Sequence, residues 1–130
     1  MKIVLTLILV SVLMMVTAPA FAGEAMQIWK CEMEDEVTEK EVTDMAAAWL
    51  KAAKTVPGGA GLKVAVYFPV AVNMTGDTDL MFAVAAPSFE EWGKFWDNYL
   101  ISPAGAEAEK RHQEKLVCPD SALWESIKIK

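Results

Sequence analysis

The sequence predicts an α+β fold with the element order β-α-β-β-α-β, an antiparallel sheet and two main helices on one face. Three observations carry this. Met26 to Met33 alternates apolar and polar residues; Leu62 to Ala86 holds two β-prone runs around turn-forming residues; and two segments of helical spacing each open with a capping box, Thr38/Glu41 and Ser88/Glu91. The 130 residues carry a net charge of −6, which fits one small domain and speaks against a nucleic-acid binder. Five Trp and five Phe exclude a disordered chain, and the length excludes a repeat array.

Residues 1–22 read as an address. Lys2 is a short positive n-region, Ile3 to Val16 form an apolar h-region of 14 residues, and Ala20-Phe21-Ala22 is an A-x-A cleavage site. The apolar run is shorter than the roughly 20 residues a bilayer core requires, and Pro19 and small residues follow it, so a signal peptide is favoured over an anchor. Cleavage after Ala22 would leave residues 23–130 as a single domain with no membrane attachment, periplasmic or secreted. Without Lys2 its charges are 11 positive and 18 negative, a surface unsuited to nucleic acid or anionic lipid.

In the mature part, the alternation M-Q-I-W-K-C-E-M marks a strand with unlike faces. Thr38 as N-cap, Glu41 at N3 and a Val37–Val42 staple start a helix whose apolar positions are Val42, Met45, Ala46, Trp49, Leu50 and Ala53. It ends near Thr55, before Pro57-Gly58-Gly59. Leu62 to Val72 and Leu80 to Ala86 form a hairpin joined across Asn73 to Thr78, and Pro69 places the first of them at an edge or a bulge. Ser88 opens a second helix with the stripe Phe89, Trp92, Phe95, Trp96, Tyr99 and Leu100, ended by Pro103. Ala104 to Lys115 reads as an inserted polar helix and Ala122 to Ile129 as the last strand. Right-handed crossovers bring this order together as a ferredoxin-like sheet.

The second face of that sheet has no helix to cover it. Lys63, Ala65 and Tyr67 point away from Val64, Val66 and Phe68, and Met81, Ala83 and Ala85 away from Leu80, Phe82 and Val84, so both faces are substantially apolar. Pairing with a second copy would cover the exposed face and give a homodimer, the alternative being a monomer that keeps it as a ligand groove.

Four further motifs carry a resemblance: W-K-C in the first strand, F-P-V-A in the second, S-F-E-E-W-G-K-F-W in the second helix and C-P-D-S-A-L-W-E-S near the end. With the element order, they make the chain resemble the dimeric α/β-barrel superfamily, and within it small exported bacterial proteins of unassigned activity. The resemblance covers most of residues 26–130. It implies the fold and leaves the activity open, since such barrels include monooxygenases, lactone isomerases and haem-handling proteins.

The chemical inventory is short. Two cysteines in an exported chain read as a disulfide rather than a metal site, and in the ferredoxin-like order the strand holding Cys31 is the antiparallel neighbour of the one that follows Cys118. That bridge closes a loop worth roughly 4 kcal/mol in the chain-entropy model, less any strain. His112, the only histidine, lies among Lys110, Arg111, Gln113 and Glu114, the pattern of a solvated helix face. No nucleophile elbow, zinc-protease or phosphate-loop motif is present, and no metal or cofactor is expected. The acidic run from Glu32 to Asp44 fits a helix N-terminus, Asp77 and Asp79 fit a turn, and Asn73-Met74-Thr75 is a sequon only in a eukaryote.

The aromatic set Trp29, Tyr67, Trp92, Trp96 and Trp124 is the candidate ligand site, against the plainer reading that it is core. The expected function is non-catalytic binding of a small apolar or aromatic ligand, or of a protein partner. Its rival is a cofactor-independent monooxygenase or isomerase using polar groups such as Tyr67, Asp97, Asn98 or Tyr99 in a cavity.

Overall fold

The computed structural model describes residues 23–71 and 78–129. The leader of residues 1–22, the sequon at Asn73 and most of the hairpin connector lie outside them. The described chain runs β1 (Glu24–Met33), α1 (Glu39–Ala53), β2 (Lys63–Tyr67), β3 (Leu80–Ala86), α2 (Phe89–Tyr99), α3 (Pro103–Gln113) and β4 (Leu116–Ser126). The sheet order is β2-β3-β1-β4 with every pair antiparallel, which is the ferredoxin-like arrangement expected from the sequence.

Three strands differ in length from the expectation, β1 by starting two residues earlier, at Glu24. β2 stops at Tyr67, just ahead of Phe68-Pro69, because proline has no N–H with which to extend the ladder. β4 begins at Leu116, well before the expected Ala122, and pairs with β1 over most of its length. Pro119, Asp120 and Ser121 have weak β propensity, so the local sequence hides this half of the strand. Pairing with a long central neighbour overrides that preference at a sheet edge.

The capping chemistry is present at each helix. Thr38 Oγ1 accepts from Glu41 N–H at 3.3 Å, and the Glu41 carboxylate accepts in return from Thr38 N–H at 3.0 Å. Ser88 Oγ caps α2 through Glu91 N–H, which is half of the expected second capping box, the Glu91 carboxylate making no return bond to Ser88, and Ser102 Oγ caps α3 through Gly105 N–H. Gly58 has φ +85°, and a Cβ there would meet the backbone of Glu91 and Phe95, so glycine lets the turn after α1 lie against α2.

The core lies between the helices and one sheet face. Val42, Met45, Ala46, Trp49 and Ala53 of α1 and Trp92, Phe95 and Tyr99 of α2 are buried against Leu80, Phe82, Val84 and Ala86. Val64, Val66 and Trp29 pack at its margin. On the opposite face the registers align Ala65, Ala83, Ile28 and Ala122 in one row across all four strands. A second row is Lys63, Ala85, Met26 and Trp124, and a third is Tyr67, Met81, Lys30 and Asp120. Among the described residues no helix is long and apolar enough to cross a membrane.

Candidate functional site

Alternation along β1 and β3 turns Trp29 and Phe82 toward the helices, and helical spacing brings Trp92, Phe95, Trp96 and Tyr99 down onto them. Trp29 lies 6.1 Å from Phe82, 6.3 Å from Trp92 and 6.4 Å from Trp96, measured between ring centroids. Trp49 of α1 completes the cluster at 5.7 Å from Phe82 and 5.6 Å from Tyr99. Such tilted and edge-on contacts are the favoured geometry for aromatic rings. Of the five aromatic residues expected to form the site, the fold therefore gathers Trp29, Trp92 and Trp96. Tyr67 and Trp124 are on the open face, 55% and 57% exposed, and cannot reach the other three through the sheet.

What remains free inside the cluster is a cavity of about 40 Å³ lined by Trp29, Trp49, Phe82, Trp96, Glu109 and His112. That is well below the roughly 300 Å³ at which small-molecule pockets begin. Tyr99 Oη donates to Glu109 Oε2 at 3.3 Å, and burial together with the Glu109 charge pushes its phenol well above the ordinary range. Asp97 is exposed, and Asn98 Nδ2 donates to Lys94 O at 2.7 Å on its own helix, so neither belongs to the cavity.

The solvated-face expectation for His112 is overturned. Gly105, Ala108 and His112 recur at steps of three and four and form the inward stripe of α3, a periodicity hidden by the charges around them. A Cβ at position 105 would strike the carbonyl of Tyr99, so Gly105 lets α3 begin hard against the end of α2. His112 then meets Phe82 edge-on at 5.3 Å, and Nε2 lies 3.9 Å from Cys118 Sγ. Burial lowers the imidazole's pKa, an effect the Glu109 charge partly offsets.

Cys31 and Cys118 form the expected disulfide, with Cα atoms 4.0 Å apart. Cys118 sits inside β4 rather than ahead of it, and the β1–β4 register shifts between Lys30 and Glu32, beside Cys31. Asp79 anchors the same corner: its N–H donates to Cys31 O at 3.0 Å and its carboxylate accepts from Met33 N–H at 2.8 Å.

A larger space lies on the outside of the helices. α1 and α3 leave a groove of about 500 Å³ floored by Met45, Ala48, Trp49, Ala52, Ala104 and Ala108. Its rim carries Glu107, Arg111, Glu114 and Lys115. Arg111 Nε donates to Glu107 Oε1 at 3.0 Å, and Lys115 Nζ to Glu41 Oε1 at 2.9 Å. The Thr38 N–H, together with that ion pair, brings the Glu41 pKa down to about 2. The alanine spacing Ala48, Ala52 on one helix and Ala104, Ala108 on the other is visible in the sequence; that they face each other is not.

No protein family matches the sequence, and no curated protein matches it. Solved structures do share the fold. SnoaB, a cofactor-independent oxygenase from Streptomyces nogalater, superposes with a TM-score of 0.55 at 9% identity, over 83% of this chain and 97% of its own. A protein from Arabidopsis thaliana gives 0.54 at 11% identity over 83% and 96%. A dimeric ferredoxin-like protein of unknown function from Thermobifida fusca gives 0.50 at 15% identity over 82% and 92%. At these identities the likeness establishes the fold and nothing about chemistry.

Proposed function

We propose that the mature chain is an exported, homodimeric binding protein that takes a small apolar ligand in the groove between α1 and α3. One observation carries the binding reading. The groove of about 500 Å³ has an apolar floor and its rim cations Arg111 and Lys115 are in ion pairs, whereas the cleft beside Glu109 and His112 measures about 40 Å³. A drug-sized ligand needs about 300–1,000 Å³, which the groove supplies and the aromatic cluster does not.

Export is supported by the leader at residues 1–22 and by a disulfide, which persists in oxidising compartments. Dimerisation through the open sheet face is supported by its apolar rows, and by the dimeric state of the Thermobifida protein on the same fold. Tyr67 and Trp124 belong to that face and are assigned to the dimer rather than to the ligand.

Binding is tested by titrating the mature protein with aromatic acids, quinones and haem while following Trp fluorescence, to which Trp49 in the groove wall reports. A saturable change is expected for at least one class, and Ala48→Trp, which fills the groove from an exposed position, should abolish it without lowering Tm. Saturable binding that survives Ala48→Trp unchanged would place the ligand elsewhere. Conversion of a bound ligand would replace the binding reading with an enzymatic one.

A further inference from the structure

Cys31, Cys118 and His112 come from three separate elements, and their sulfur and imidazole nitrogen atoms all lie within 4.8 Å of one another. The disulfide alone would explain the two sulfurs. Beside them the chain's single histidine, turned inward by the periodicity of α3 and half-buried against Phe82, adds a third donor with Nε2 3.9 Å from Cys118 Sγ. We infer that the reduced form of this corner is a Cys₂His site for a zinc-like divalent ion, and that the disulfide is its closed, metal-free state.

The donor set is that of a zinc site with three protein ligands and an open fourth position. With Zn–S about 2.3 Å and Zn–N about 2.0 Å, a tetrahedral site places its sulfurs about 3.7 Å apart and each sulfur about 3.5 Å from the nitrogen. The Cys118–His112 separation of 3.9 Å is already close to that edge, so once the disulfide is broken the two sulfurs must part to about 3.7 Å and Cys31 Sγ, within 4.8 Å of the imidazole, must come to about 3.5 Å from it. Breaking it requires a dithiol reductant, which supplies two electrons and two protons and is itself oxidised to a disulfide. The ion then displaces one proton from each thiol, and neutral imidazole binds through Nε2. The surroundings suit such a site: the register shift next to Cys31 loosens the ladder where one sulfur must move, and Asp79 holds the Cys31 carbonyl and the Met33 amide on its other side.

The test uses the mature protein in both redox states. After reduction and anaerobic removal of the reductant, Zn²⁺ is titrated against a chromophoric chelator, with Co²⁺ as a spectroscopic substitute. One equivalent is expected to bind the reduced protein and none the oxidised, and Co²⁺ should show thiolate-to-metal charge transfer. His112→Ala should weaken binding at least about tenfold, and the oxidised variant, which keeps its bridge, reports whether the substitution disturbs folding. Equal affinity in His112→Ala and the parent would overturn the inference, as would stoichiometric binding to Cys118→Ser at parental strength. Should reduction unfold the chain, recovery of the far-ultraviolet circular dichroism on adding Zn²⁺ would uphold the site, and failure to recover it would overturn it.

Discussion

The two faces of the sheet are built from different sizes of side chain. Under the helices, Trp29, Phe82, Val84 and Leu80 pack with Trp49, Trp92, Phe95 and Tyr99 into one cluster of large side chains. On the open face the central row is Ala65, Ala83, Ile28 and Ala122, with large side chains displaced toward its corners at Tyr67 and Trp124. Large rings make a core by filling volume within one chain. Small side chains in a row make a flat surface that another flat surface can approach closely, which is what a self-complementary interface requires. Stability resides in the covered face, and the open face is the one proposed above for association.

The largest effect should come from breaking the covered face. Phe82→Ala removes a ring that touches Trp29, Trp49 and His112, and should cost about 3–5 kcal/mol in denaturant or thermal unfolding. Cys118→Ser comes next: releasing a bridge between residues 87 apart should cost about 4 kcal/mol, seen as a lower Tm even in the absence of metal. Ala122→Glu sharpens the contrast. Position 122 is exposed in the single chain, so monomer stability should change by no more than about 0.5 kcal/mol. Light scattering at micromolar concentration should nonetheless shift from dimer to monomer, and a dimer that survives the added charge would remove the open face as the interface.

The smallest effect lies on the helical cover itself. Glu41 is depressed from its ordinary 4.5 to about 2 by the Thr38 N–H and Lys115. A carboxylate with a lowered folded-state pKa contributes stability that is complete above the unfolded value and lost as pH falls through the folded one. Stability should therefore decline between pH 4.5 and 2, and Glu41→Gln should flatten that decline while slightly lowering Tm at neutral pH.

Much of this was legible locally. The alternation of Met26 to Met33, the Thr38/Glu41 capping box and the Trp92–Phe95–Tyr99 spacing each depend on neighbours within a few residues, so the sequence alone determined the elements and their order, while two apolar sheet faces left open which one the helices would cover. The pairing of Cys31 with Cys118 followed as well, because strand order places β1 beside β4 whatever the detailed packing. Tertiary structure decided the rest. β4 gained its first half because an adjacent strand supplied hydrogen bonds that its own residues do not favour. The candidate ligand set split because Tyr67 and Trp124 differ in sheet face from Trp29. His112 turned inward because Gly105 lets α3 start against Tyr99, a contact between two helices that charge patterning along α3 cannot show. The groove between Ala48, Ala52, Ala104 and Ala108 exists only because α1 and α3 meet, and its volume is a property of their separation rather than of either sequence segment.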